Sequence, residues 1–173
     1  RDFPSLVVDP VVVAKDGTHL LSDAGIAAIR EELLPVAAIA TPNIPEAEAL
    51  TGVRIESEDD VPAAAAKLRE LGCSWVLVKG GHLSGPEVVD LLLGPDGEQA
   101  FTSRRISGGP FHGTGCTLSS AIAAFVARGQ SIPEAVDAAH SFLHTLLKQA
   151  VALGKGALVL YPQSPTADEG RHQ

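Results

Sequence analysis

Short apolar runs that stop at a polar residue recur along this chain, each leading into a helix-forming stretch. That alternation restricts the fold more than any other feature of the 173 residues. Leu6-Val7-Val8 ends at Asp9-Pro10, Val36-Ala37-Ala38-Ile39-Ala40 at Thr41-Pro42-Asn43, and Trp75-Val76-Leu77-Val78 at Lys79-Gly80-Gly81-His82. Runs that are apolar throughout, rather than at alternate positions, predict strands covered on both faces. Between them, Ser22-Asp23 caps a predicted helix over 24–34, with Ile26, Ile29 and Leu33 at helical spacing and Pro35 behind it. A short helix opens near Pro45 and stops before Gly52, and residues 58–71 form an Ala-rich amphipathic helix closed by Gly72.

Further on, 88–93 and 99–103 read as strands, and Gly94-Pro95-Asp96-Gly97 between them has the chemistry of a hairpin turn. A Gly-Pro loop then leads to His112-Gly113-Thr114-Gly115-Cys116, which opens an apolar helix to about residue 127. Ser131-Ile132-Pro133-Glu134 starts another, to about 152; 158–160 is a last short strand, and 164–173 a polar tail. The pattern predicts an α/β sandwich around a mostly parallel sheet, with no repeat or linker to divide it. In such sheets ligands sit off the carboxyl ends of the strands. Asp9, Asn43 with Glu46, and Lys79 all stand there.

The formal net charge of -8 argues against a surface that holds nucleic acid or anionic lipid by charge. One Trp, one Tyr and five Phe provide no stacking platform for single strands. The two cysteines, Cys73 and Cys116, make no disulfide framework or zinc spacing, and no apolar run approaches a membrane span, so the expected compartment is the cytoplasm. A chain without Met that begins Arg1-Asp2-Phe3-Pro4 and enters a strand at once reads as a piece of something longer.

Among the motifs, His112-Gly113-Thr114-Gly115-Cys116-Thr117 at a helix start is the sharpest. The first turn of a helix leaves amides unpaired, aligned dipoles add partial positive charge, and glycines let an anion come close. The same field is expected to lower the pKa of the Cys116 thiol, which then orients or deprotonates an attacking hydroxyl. A Gly-rich lead into a core helix, with Cys116 simply a small residue, is the plainer alternative. Asn43 and Glu46, three apart at a strand-to-helix junction, suit the water shell of a magnesium ion. On the residues alone, however, a turn Asn and a helix N-terminal acid is the simpler account. Lys79 suits phosphate oxygens, although a lone lysine at a strand end is more often only solvated. His82 and His112 read as loop hydrogen-bonding residues, Cys73 as structural, and His140 with His144 as a packing or surface pair.

Taken together and in order, these segments resemble the ribokinase-like superfamily, specifically the hydroxymethylpyrimidine and phosphomethylpyrimidine kinases of thiamine synthesis. They run from Val7-Val8-Asp9-Pro10-Val11 and Ala14-Lys15-Asp16-Gly17 through Leu33-Leu34-Pro35 and Thr41-Pro42-Asn43-Ile44-Pro45-Glu46-Ala47. They continue with Val78-Lys79-Gly80-Gly81-His82 and end in His112-Gly113-Thr114-Gly115-Cys116-Thr117-Leu118-Ser119. The resemblance covers about residues 6–160 and implies a three-layer α/β/α sandwich, with 1–163 the C-terminal part of a single domain, and an ATP-dependent kinase acting on the pyrimidine alcohol and then on its monophosphate. It implies an anion hole at Gly113, Thr114 and Gly115, with Cys116 where sugar-kinase relatives carry an aspartate base. It further implies nucleotide contacts from Lys79, Asn43, Thr41 and His112, magnesium near Glu46 and Asp9, possible use of a monovalent cation, and a homodimer at full length. The family's opening Gly-rich strand-to-helix segment has no counterpart before Leu6, and Gly108-Gly109-Pro110-Phe111 departs from the expected approach to the loop. Two alternatives stay open: a pyridoxine or pyridoxal kinase of the same superfamily, and a nucleotide-binding fragment without turnover.

Overall fold

The computed structural model describes residues 5–13, 18, 20–107, 109–152 and 156–160. Its main sheet has five strands in the order β1 (Val7–Val8), β2 (Ile39–Ala40), β3 (Trp75–Val78), β4 (Glu87–Gly94) and β5 (Gly97–Arg104). β1, β2 and β3 are parallel, and the β4/β5 hairpin adds two antiparallel strands, so the sheet is mixed. Because neighbours along a strand face opposite ways, the apolar runs feed two cores at once. Val8, Ala40, Val76 and Val78 pack on α1 (Asp23–Ala28), α2 (Ile44–Thr51) and α3 (Val61–Glu70). Ile39, Leu77, Leu92 and Phe101 pack on α4 (Thr114–Ala127) and α5 (Ile132–Lys148). Helices therefore cover both faces, in three layers.

Ser22 caps α1 by accepting the Gly25 amide at 3.3 Å, but the regular helix ends at Ala28. A wide turn over Ile29–Leu33 and a tight one over Leu34–Val36 continue it to the predicted end and beyond. Pro35 sits in that tight turn, and the Ala37 amide bonds back to Leu34, so the apolar run 36–40 becomes strand only at Ile39. At the other end, α5 stops at Lys148 rather than near 152, because Val151 forms an antiparallel bridge with Val159. The predicted last strand, β7 (Leu158–Val159), pairs in parallel with β6 (Phe111–His112), which the sequence pattern placed in a loop. That clasp fixes the chain just before Gly113. The 164–173 tail lies outside the described residues. No described helix is long and apolar enough to cross a membrane.

Candidate functional site

Adjacent parallel strands deliver their carboxyl ends side by side. The Thr41 amide donates to Val8 at 2.9 Å and the Lys79 amide to Pro42 at 2.8 Å, so the ladder runs on past the strand ends. Asn43 and Lys79 bridge in parallel register. Lys79 consequently reaches Asp9: Nζ and Oδ1 are 2.9 Å apart, with only 12% and 17% of the two side chains exposed. Asn43 and Glu46 form a reciprocal cap at the start of α2. Glu46 Oε2 accepts the Asn43 amide at 2.8 Å, and Asn43 Oδ1 accepts the Glu46 amide at 3.0 Å. Glu46 is 3% exposed. Burial pushes its pKa up, the Asn43 amide and Lys79 pull it down, and the Asp9 carboxylate raises it again.

The mouth of α4 closes on this cluster. Gly113 precedes the helix at φ +79°, a left-handed conformation that glycine adopts without a Cβ penalty. With glycine at the cap no side chain folds back on the first-turn amides, which in any helix lack intrahelical acceptors. A Cβ built on Gly115 would lie 3.1 Å from Lys79 Nζ, so the helix mouth and the lysine meet. Two buried hydroxyls hold them in register. Thr41 Oγ1 and Ser119 Oγ are 2.8 Å apart, Ser119 donates to the Gly115 carbonyl at 3.0 Å, and Thr41 also reaches Asp9 Oδ1 at 3.3 Å. Ser119 had a local signal, since it stands four residues after Gly115 on one helix face.

The exposed thiol of Cys116 departs from the sequence expectation. Its pKa is raised, first by partial burial, then by the Asp9 carboxylate that it also hydrogen-bonds, with Lys79 offsetting part of the effect. The helix-start field is real but local, and a nearby carboxylate with desolvation outweighs it. Thr41 also needs correction as a nucleotide contact. It has no exposed surface, and its hydroxyl is engaged within the protein, so it braces the site instead. His112 lies exposed in β6, one residue before the loop. Cys73 is structural: buried, its thiol bonded to the Trp75 carbonyl and its pKa pushed up to about 11 by desolvation.

Beside the mouth a groove of about 470 Å³ is lined by Gly113, Cys116, Thr117, Ser120, Ala124 and Phe142. Among the described residues no group of three or more His, Cys, Asp or Glu side chains is arranged to hold a metal. Asp9 and Glu46 nevertheless fit a magnesium ion held mainly through water and phosphate. The Asp9 carboxylate burdens the charge on Glu46, and such an ion takes few protein ligands. With Oε2 spent on the cap, Glu46 would approach it through its other oxygen.

Residues 1–160 match the family model described as phosphomethylpyrimidine kinase. A hydroxymethylpyrimidine/phosphomethylpyrimidine kinase of Streptomyces coelicolor is 45% identical over 155 residues, covering 90% of this chain and 57% of that protein. The structure is also similar to an ADP complex of Bacillus subtilis pyridoxal kinase, with TM-score 0.83 and 33% identity over 91% of this chain and 60% of that one. Phosphomethylpyrimidine kinase from Clostridium difficile superposes with TM-score 0.71 and 40% identity, covering 82% and 56% of the two chains. The chain thus spans less than two thirds of the length of each of these relatives.

Proposed function

The chain belongs to the phosphomethylpyrimidine kinase family, and from that membership and the site we propose that it is the phosphoryl-transfer part of an ATP-dependent kinase. Its acceptors would be 4-amino-5-hydroxymethyl-2-methylpyrimidine and the corresponding monophosphate, in thiamine synthesis. One observation carries the chemistry: the glycine-capped mouth of α4 comes within 3.1 Å of Lys79 Nζ, measured from a Cβ built on Gly115. Amides and ammonium converge there on a space suited to a phosphoryl group.

In this scheme the first-turn amides of α4 receive charge developing on the γ-phosphoryl oxygens, and Lys79 neutralises the phosphate chain beside them. Asp9 and Glu46 would hold the water shell of a magnesium ion, which would supply neutralising charge to the phosphates. The acceptor hydroxyl oxygen bonds to the γ-phosphorus as the bond to the ADP oxygen breaks. Cys116, its pKa raised by burial and then by Asp9, keeps its proton at neutral pH. Its S–H donates to Asp9, so its sulfur accepts from the acceptor hydroxyl, and as the O–P bond forms the hydroxyl proton passes to sulfur while the thiol proton passes to the Asp9 carboxylate. The groove next to the thiol, apolar apart from two hydroxyls, suits an uncharged heteroaromatic ring.

The likeness to a pyridoxal kinase supports a second reading, in which pyridoxal is the acceptor and the transfer step is unchanged. Two measurements test the scheme. Calorimetric titration of this chain with Mg-ATP should show binding, and absence of binding rejects the phosphate site. A coupled assay of ADP release by the full-length protein, offered each alcohol in turn, should favour the pyrimidine; preference for pyridoxal decides for the second acceptor. Binding by this chain with no transfer by the full-length protein to either alcohol supports a nucleotide-binding role alone.

A further inference from the structure

Behind Lys79 lies a buried polar pair that the scheme above leaves unused. Asp90, in β4, is 5% exposed, and its Oδ1 accepts the Gly80 amide at 2.8 Å. Its Oδ2 lies 3.4 Å from Nε2 of His140, on α5, a close approach without hydrogen-bond geometry. The His140 ring stacks on Phe101 with centroids 5.1 Å apart and planes 2° from parallel. Phe101 is the residue registered opposite Asp90 across β4 and β5. Two strands and a helix thus converge on the peptide that joins Lys79 to Gly80.

The same stretch is held from the other side, since the Lys79 amide donates to Pro42 at 2.8 Å. It also runs hard against β4, because a Cβ built on Gly80 would clash with the Val89 carbonyl oxygen. A buried carboxylate is a poor way to gain stability. Desolvation disfavours its charge, and well-packed apolar side chains often do as well or better. Here burial raises the Asp90 pKa, and His140, the Gly80 amide and Lys79 only partly offset it. What the carboxylate does achieve is direction: it fixes the backbone one residue past the cation.

We propose that Asp90, backed by His140, is a positioning residue that locks the Lys79–Gly80 peptide and so aims the Lys79 ammonium at the mouth of α4. This rests on Lys79 being a phosphate-binding cation, and a double-mutant cycle separates the two claims. Calorimetric titration with a non-hydrolysable Mg-ATP analogue is made on the parent, Lys79→Ala, Asp90→Leu, Asp90→Asn and Lys79→Ala/Asp90→Leu. Each of Lys79→Ala and Asp90→Leu is expected to weaken binding about tenfold, and the double variant no more than about tenfold in all, because both act through one ammonium. Asp90→Asn keeps an oxygen for the Gly80 amide and should bind within about threefold of the parent. If Asp90→Leu does not fold, His140→Phe keeps the stack on Phe101 and removes the ring nitrogen. Its weakening, about threefold, should vanish in the Lys79→Ala background. Losses that multiply, about a hundredfold in the leucine double variant, or a histidine effect that persists without Lys79, overturn the positioning role alone. A parent that does not bind removes the phosphate site and this proposal with it.

Discussion

Gly115→Ala separates the stability of the site from its use. The substitution adds one methyl, 3.1 Å from Lys79 Nζ and 3.9 Å from Cε, in the first turn of α4. Ordinary contact begins at about 3.5 Å, so the ammonium must retreat by a few tenths of an ångström. It retreats against an ion pair, since Nζ is 2.9 Å from Asp9 Oδ1. For folding, two effects oppose: alanine favours a helix over glycine by up to about 1 kcal/mol, while stretching a partly exposed ion pair costs about 0.5–1 kcal/mol. Stability should stay within about 1 kcal/mol of the parent, a change of at most about 4 °C in Tm. Nothing offsets the effect on a phosphate, because the methyl fills the space where its oxygens would touch both the α4 amides and Lys79. Losing one charge-assisted hydrogen bond costs about 1.5–3 kcal/mol, a loss in affinity of roughly ten- to hundredfold. Circular-dichroism melting and calorimetric titration with Mg-ATP, in one buffer, measure both sides. A variant that melts with the parent and binds Mg-ATP equally tightly refutes the convergence of helix mouth and lysine on one anion.

The raised pKa of Cys116 has a titratable signature. Iodoacetamide alkylation should rise with pH to a midpoint above that of an ordinary thiol, and Asp9→Asn should move the midpoint down, since the carboxylate raises it. An unmoved or higher midpoint would remove Asp9 as the cause; buried Cys73 serves as the slow internal control. Glu46 has a folded pKa above its ordinary 4.5, so its burial favours folding when protonated, and that contribution is lost as pH rises through the folded value. Glu46→Gln, which retains an oxygen for the Asn43 amide, should therefore raise Tm at neutral pH, and the gain should shrink below pH 4.5. Mg-ATP binding should weaken in the same variant; an unchanged Tm at every pH would show that burial does not burden the carboxylate. Thr41→Val leaves the buried Ser119 hydroxyl one partner short and should cost about 1–3 kcal/mol in denaturant unfolding. A smaller loss would show that the hydroxyl pair contributes little.

The strand ends were legible because they depend on local pattern: an apolar run, a polar stop, a helix start. The hairpin was legible for the same reason, through Gly94-Pro95-Asp96-Gly97, and the structure shortens its turn to Pro95 and Asp96. What escaped depends on partners distant in sequence. Phe111 and His112 are too few to signal a strand, and they become one only beside Leu158 and Val159. The helix start at Cys116 suggests a lowered thiol pKa, but burial first, and then Asp9, brought alongside by strand order, raise it. Thr41 stands where a ligand contact is expected, and only packing against Ser119 turns it inward. Asp90 looks like one more polar position in a hairpin until α5 is laid across it.

The charged members of the site rest on unequal foundations. Lys79 follows β3, a strand paired on both sides, whereas Asp9 follows β1, two residues long and, among the described residues, paired only with β2. Stability is uneven within a fold, and a strand this short has few hydrogen bonds to break before it opens. Opening of β1 ahead of β3 would draw Val8 out of its core and take the Asp9 carboxylate away from both Lys79 and Cys116, so the charge balance of the site would change before the sheet as a whole opens. Amide exchange at Val8 against that at Leu77 would put the two events in order.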